Sequence, residues 1–128
     1  MKKRADVLEW INKAEQDYET AETMARKRKS SVPDIVGFHC QQCVEKYLKA
    51  FLVLKKVDFP KTHDLIEILE RAADKDPFLE IFRSELRMLN PFSVQFRYPG
   101  EGATIDDAKA ALKSMRRVRK FLREKIPV

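Results

Sequence analysis

The fold turns on "VGFHCQQCVEKYLKAFLVL", residues 36–54. Val36, Cys40, Cys43 with Val44, Tyr47, Phe51 and Leu54 recur at steps of three and four. That is the period of one helix face, and no strand alternates this way. Pro33 suits the first turn of such a helix, Ser30 or Ser31 can cap it, and "VDFPKT" breaks it. The spacing predicts a helix over 33–56.

Working outward, the same period recurs on both sides. Val7, Ile11, Ala14, Tyr18, Ala21 and Ala25 form one apolar stripe over 5–28, closed by the basic run "RKRKSSVPD". Thr62 reads as the N-cap of a third helix ending near Ala73, with Asp64 and Glu67 at its positive end. "DKDP" separates a fourth, 77–90, whose inner face is Phe78, Ile81, Phe82, Leu86 and Leu89; Asn90-Pro91 stops it. "PFSVQFRYPGEGAT" is one long loop. The last helix runs from about Thr104 to Ile126 on Ile105, Ala108, Leu112, Met115, Leu122 and Ile126. The expectation is an all-α, up-and-down bundle of about five helices, with residues 1–128 as a single domain.

Bulk composition agrees. A chain of 128 residues with 44% hydrophobic content can bury one core. Three glycines and 36% charged residues favour helices throughout. No apolar run approaches the ~20 residues of a membrane span. "MKKRADVLEW" is basic with no apolar stretch behind it, so a cytoplasmic protein without a signal peptide is expected. The net charge of +6 suits a phosphate-bearing partner and equally suits plain solubility.

Two cysteines three apart, with a histidine beside the first, raise zinc, redox chemistry or packing. Cys40 and Cys43 share the stripe of Val36, Tyr47 and Phe51, where a thiol acts as a small hydrophobe. Zinc needs four ligands, and the chain has no second cysteine pair and only one other histidine, His63. Core packing is the expected role, with no metal and no cofactor.

The opposite side of that helix carries His39, Gln42, Lys46 and Lys49, stepping by three, four and three. Imidazole, amide and ammonium groups together can hold a phosphate and a base or sugar edge. The bland alternative is a solvated flank in which Glu45 and Lys49 form an ordinary i, i+4 pair. On the last helix Lys109, Lys113, Arg116, Lys120 and Arg123, with Arg117 close by, make a cationic stripe with almost no acid beside it. It is either a track for phosphates or the wet side of an amphipathic helix. In "FRYPGEG", Arg97 can grip a phosphate and Tyr98 can stack on a base, or the aromatic residues simply plug the bundle. Trp10, Met24, Leu48 and Leu52 lie off the main stripes and are candidates for a dimer interface.

Three pieces in order carry a family resemblance: Gln42, Glu45, Lys46, Lys49 and Ala50 on the second helix, then Thr62-His63-Asp64-Leu65, then Arg97-Tyr98-Pro99. The chain from about residue 10 to 125 resembles the HEPN domain family (higher eukaryotes and prokaryotes nucleotide-binding). The resemblance implies a bundle of about five helices, often dimeric, that binds a nucleotide or RNA. It also implies partnership with a minimal nucleotidyltransferase subunit, as in two-component, toxin–antitoxin-like pairs. One branch of the family consists of metal-independent ribonuclease toxins with an Arg followed closely by a His. Here "YPGEGATID" follows Arg97, and both histidines precede it. No catalytic residue is therefore assigned. His39, Gln42, Lys46, Lys49, His63, Arg97 and Tyr98 are the expected nucleotide- or phosphate-binding residues. His63 is expected at a helix start whose free N–H groups attract an anion. The alternatives are a ribonuclease pairing Arg97 with a displaced histidine, and a non-catalytic oligomerisation domain.

Overall fold

The computed structural model describes residues 2–27, 33–94 and 102–127. Five α-helices follow one another: α1 (Lys2–Arg26), α2 (Pro33–Leu54), α3 (Leu65–Ala73), α4 (Arg83–Leu89) and α5 (Ile105–Lys125). Two 3₁₀ segments, Pro77–Phe82 and Asn90–Ser93, flank α4, and no strand occurs among the described residues. The expected all-α bundle is what forms.

All the other helices touch α2. Thirteen of its 22 residues are buried, far more than one stripe supplies. A helix covered on several sides is apolar on several sides. This corrects the reading of Leu48 and Leu52 as interface candidates: both are fully buried in the core. Cys40 and Cys43 are buried, free thiols among Val36, Val44, Tyr47 and Phe51. Burial pushes both thiols well above the ordinary cysteine range, which leaves them inert. Among the described residues no group of three His, Cys, Asp or Glu could hold a metal.

α2 ends two residues earlier than the spacing suggests, in a Schellman turn. Val57 N–H donates to Leu52 C=O and Lys56 N–H to Val53 C=O, with Lys56 at φ 60°. Gly37 serves a close approach. A Cβ there would lie 2.1 Å from the Phe92 ring, so the 3₁₀ segment Asn90–Ser93 can seat on α2 only because residue 37 has no side chain.

The fourth helix departs from expectation. Asp76 caps a 3₁₀ turn led by Pro77, and α geometry begins only at Arg83. With three residues per turn, Leu79 and Phe82 align and continue into Leu86 and Leu89. Phe78 and Ile81 align on the other side and are exposed, not part of the inner face. Asp64, not Thr62, caps α3: its carboxylate accepts from Ile66 N–H, while Thr62 Oγ1 accepts from Asp64 N–H. Thr104 and Asp107 form a capping box on α5. Ala25 and Ile105, at helix ends, are exposed and drop out of their stripes.

Candidate functional site: a braced histidine on a cavity wall

Gln41, Glu45 and Lys49 lie one turn apart along α2 and are all buried. Their side chains converge on the connection to α3. Lys49 Nζ lies 3.0 Å from Glu45 Oε2 and donates to Thr62 C=O at 2.8 Å. Gln41 Nε2 donates to His63 C=O at 3.0 Å. His63 Nδ1 sits 2.9 Å from Glu45 Oε1. An ionised carboxylate only accepts, so Nδ1 carries the proton and Nε2 is the outward nitrogen. The Glu45 side chain is 3% exposed and the His63 side chain 67%. Lys49 Nζ also lies 5.5 Å from the Trp10 ring and 5.7 Å from that of Phe59, a cation–π environment. The Glu45–Lys49 pair is thus an interior strut rather than a solvated flank.

His63 lines a cavity of about 520 Å³ with Asp64, Arg87, Asn90, Pro91, Ser93 and Val94. Asn90 locks this wall: its Oδ1 accepts from Leu65 N–H at 2.8 Å and its Nδ2 donates to Asp64 Oδ1 at 2.9 Å. Asp64 also accepts from Ile66 N–H, and the Asn90 amide above all holds its carboxyl below the usual aspartate range. The expected anion site at the start of α3 is thereby corrected. Its first-turn N–H groups are already taken by Asn90 and Asp64, and the negative charge there is the protein's own. Arg87 is exposed and lies near Glu80, whose carboxyl Arg83 first and Arg87 in addition hold below the usual glutamate range.

The other sequence-predicted residues divide. Asp17 of α1, itself buried, holds His39 Nδ1 at 2.8 Å and Lys46 Nζ at 2.6 Å. Gln42 Nε2 donates to Gln41 Oε1 at 2.6 Å and so joins the Glu45 cluster. Lys46 lines a separate cavity of about 450 Å³ with Asp6, Glu9, Trp10, Lys13 and Val53. Among the described residues, then, Lys46 and His63 face different hollows. Arg97 and Tyr98 lie outside the described residues.

The three arginines of the α5 stripe, Arg116, Arg117 and Arg123, are paired with acids of other helices, which corrects the reading of a row with almost no acid beside it. Glu15 receives Arg119 through two bonds of 2.7 Å, Arg123 at 3.3 Å, and the Tyr47 hydroxyl. Arg119 also stacks on Tyr18 at 3.8 Å. Glu22 receives Arg116 at 2.7 and 2.6 Å, and Glu85 receives Arg117. Arg119 holds the Glu15 carboxyl below the usual glutamate range, and Arg116 does the same for Glu22. Burial and the Glu15 contact push the Tyr47 hydroxyl up to about 12. Lys109, Lys113 and Lys120 stay exposed.

Sequence reasoning missed Gln41, Asp17, Glu15 and Arg87. The Gln41–Glu45–Lys49 ladder was legible as two steps of four. The other three acquire their roles only when separate helices meet.

A model described as the HEPN domain matches residues 7–125. No curated protein matches. Among solved structures, the crystal structure of an archaeal HEPN homologue is similar, with a TM-score of 0.68. It is 21% identical, and the alignment covers 94% of this chain and 98% of that one. At that identity the likeness is one of fold, the same bundle drawn by a different sequence. With the family model running over nearly the whole chain, this protein belongs to the HEPN domain family.

Proposed function

We propose that the chain is a HEPN nucleotide-binding module that works as the homodimeric partner of a minimal nucleotidyltransferase, in a toxin–antitoxin-like pair. The carrying observation is an exposed imidazole, His63, braced by the buried Glu45 on a cavity wall shared with Arg87. The hollow is wide open to solvent, and its volume of about 520 Å³ falls within the ~300–1,000 Å³ of small-molecule sites. Its groups divide by chemistry. Arg87 and His63 suit a phosphate, while the Asp64 carboxylate suits a hydroxyl or amine donor. A nucleotide offers both, which an inorganic anion does not. Arg97 follows the wall residue Val94 by three positions in the sequence and, with Tyr98, completes the proposed site. Gln42 and Lys49 support it from α2 through Gln41 and Glu45, whereas His39 and Lys46 turn to Asp17, with Lys46 on the other hollow.

Calorimetry with ATP, GTP and a short RNA on the intact protein, Arg97→Ala and Arg87→Ala tests the binding half. Binding weakened by either substitution is expected; no heat at millimolar nucleotide removes this half. Co-expression with a minimal nucleotidyltransferase from an adjacent reading frame tests the other half, with co-elution expected.

The Glu45–His63 pair also favours a second reading. A carboxylate-oriented imidazole is the arrangement of a general base. A metal-independent ribonuclease would use His63 with Arg97. RNA cleavage that survives EDTA and vanishes in both His63→Asn and Arg97→Ala would make this the leading function.

A further inference from the structure

Three buried side chains of α2 hold the exposed His63 and the half-buried Thr62. Gln41 and Lys49 bind the carbonyls of His63 and Thr62, and Glu45 binds the His63 ring. Burying an ion pair and an amide is costly unless every group is satisfied. Lys49 has been brought inside, against Trp10 and Phe59, with one of its hydrogen bonds on the Thr62 carbonyl. A turn needing only to be closed could use Asp64, Asn90 and the backbone, as the start of α3 does. What the ladder adds is a fixed position and a fixed tautomer for one imidazole.

We infer that Gln41, Glu45 and Lys49 are positioning residues for His63, which meets its ligand through Nε2, with Arg87 on the same cavity wall taking the ligand's phosphate. This rests on the nucleotide-binding reading and locates it. The carboxylate at Nδ1 makes Nε2 the acceptor of a neutral ring and a donor when the ring is protonated. The charged groups around the ring are Glu45 and Lys49 from α2, Asp64 beside it in the chain, and Arg87 from α4. Asp64 is already bound by Asn90 and Ile66 N–H. The Arg87 guanidinium is therefore the cation left for an incoming phosphate among the described lining residues.

Long-range ¹H–¹⁵N spectra separate the two imidazoles of the chain, the His63 signals being those lost in His63→Asn. At alkaline pH the intact protein is expected to show His63 protonated at Nδ1, and ATP is expected to shift Nε2. Arg87→Ala and His63→Asn should each weaken ATP about tenfold or more. Glu45→Met alone strands the Lys49 charge and can unfold the chain, so the informative variant is Glu45→Met/Lys49→Met. It removes both charges at similar volume. With helical content retained, it should release His63 toward the Nε2–H tautomer and weaken ATP about fivefold. An Nε2–H tautomer in the intact protein overturns the inference, as does full ATP affinity in the double variant. ATP binding unchanged by Arg87→Ala and His63→Asn leaves the nucleotide reading standing and removes this location. Absence of ATP binding removes both.

Discussion

Lys49 and Glu45 show how little a residue's type says about its place. Both belong to the most exposed classes, yet both are buried and mutually bonded. Deleting one partner leaves an uncompensated charge inside. Lys49→Ala should therefore cost about 3–5 kcal/mol in urea unfolding, whereas Glu45→Met/Lys49→Met should cost far less. Lys56 gives a prediction of opposite sign. It occupies the left-handed position of the Schellman turn, at φ 60°, where a side chain strains the backbone. Lys56→Gly should raise stability by about 0.5–1 kcal/mol in the same assay, and a loss would contradict that account.

At the scale of elements, helical period made α1, α2 and α5 legible, because long stripes average over local exceptions. It failed where the period itself changed. A 3₁₀ turn over Pro77–Phe82 rotates Phe78 and Ile81 outward, and an α-helical count cannot show that. The opposite face of α2 was legible as a set of polar residues, but not which partner each would meet. His39 and Lys46 turn to Asp17, while Lys49 turns to Glu45. The Lys49–Glu45 step of four lies within α2 and could be read from the sequence, but the pairings with Asp17 cross between helices and leave no periodic trace. Gly37 joins element to site. Alanine would gain about 1 kcal/mol in helix propensity. Against that, its Cβ would enter the Phe92 ring, and overpacking costs about 1–3 kcal/mol. Gly37→Ala should lower stability by about 1 kcal/mol and weaken ligand binding, since Phe92 belongs to the Asn90–Ser93 segment of the cavity wall.

Over the whole molecule, α5 is tied to α1 by Glu15 with Arg119 and Glu22 with Arg116. Both carboxyls are held below their ordinary range, by Arg119 and Arg116 in the first place. A depressed folded-state value contributes stability that is present above the unfolded value of about 4.3 and is lost as pH falls through the folded value. The bundle should therefore lose stability progressively below about pH 4.3. Glu15→Gln should be less stable at neutral pH by about 1 kcal/mol and show a shallower acid slope in thermal unfolding.

The central claim is that the cavity beside His63, and not the hollow around Trp10, receives a nucleotide. Amide chemical-shift mapping during an ATP titration tests it most directly. Shifts concentrated at residues 63–64 and 87–94 are predicted. Shifts concentrated at residues 6–13, with 63–64 and 87–94 silent, would contradict it.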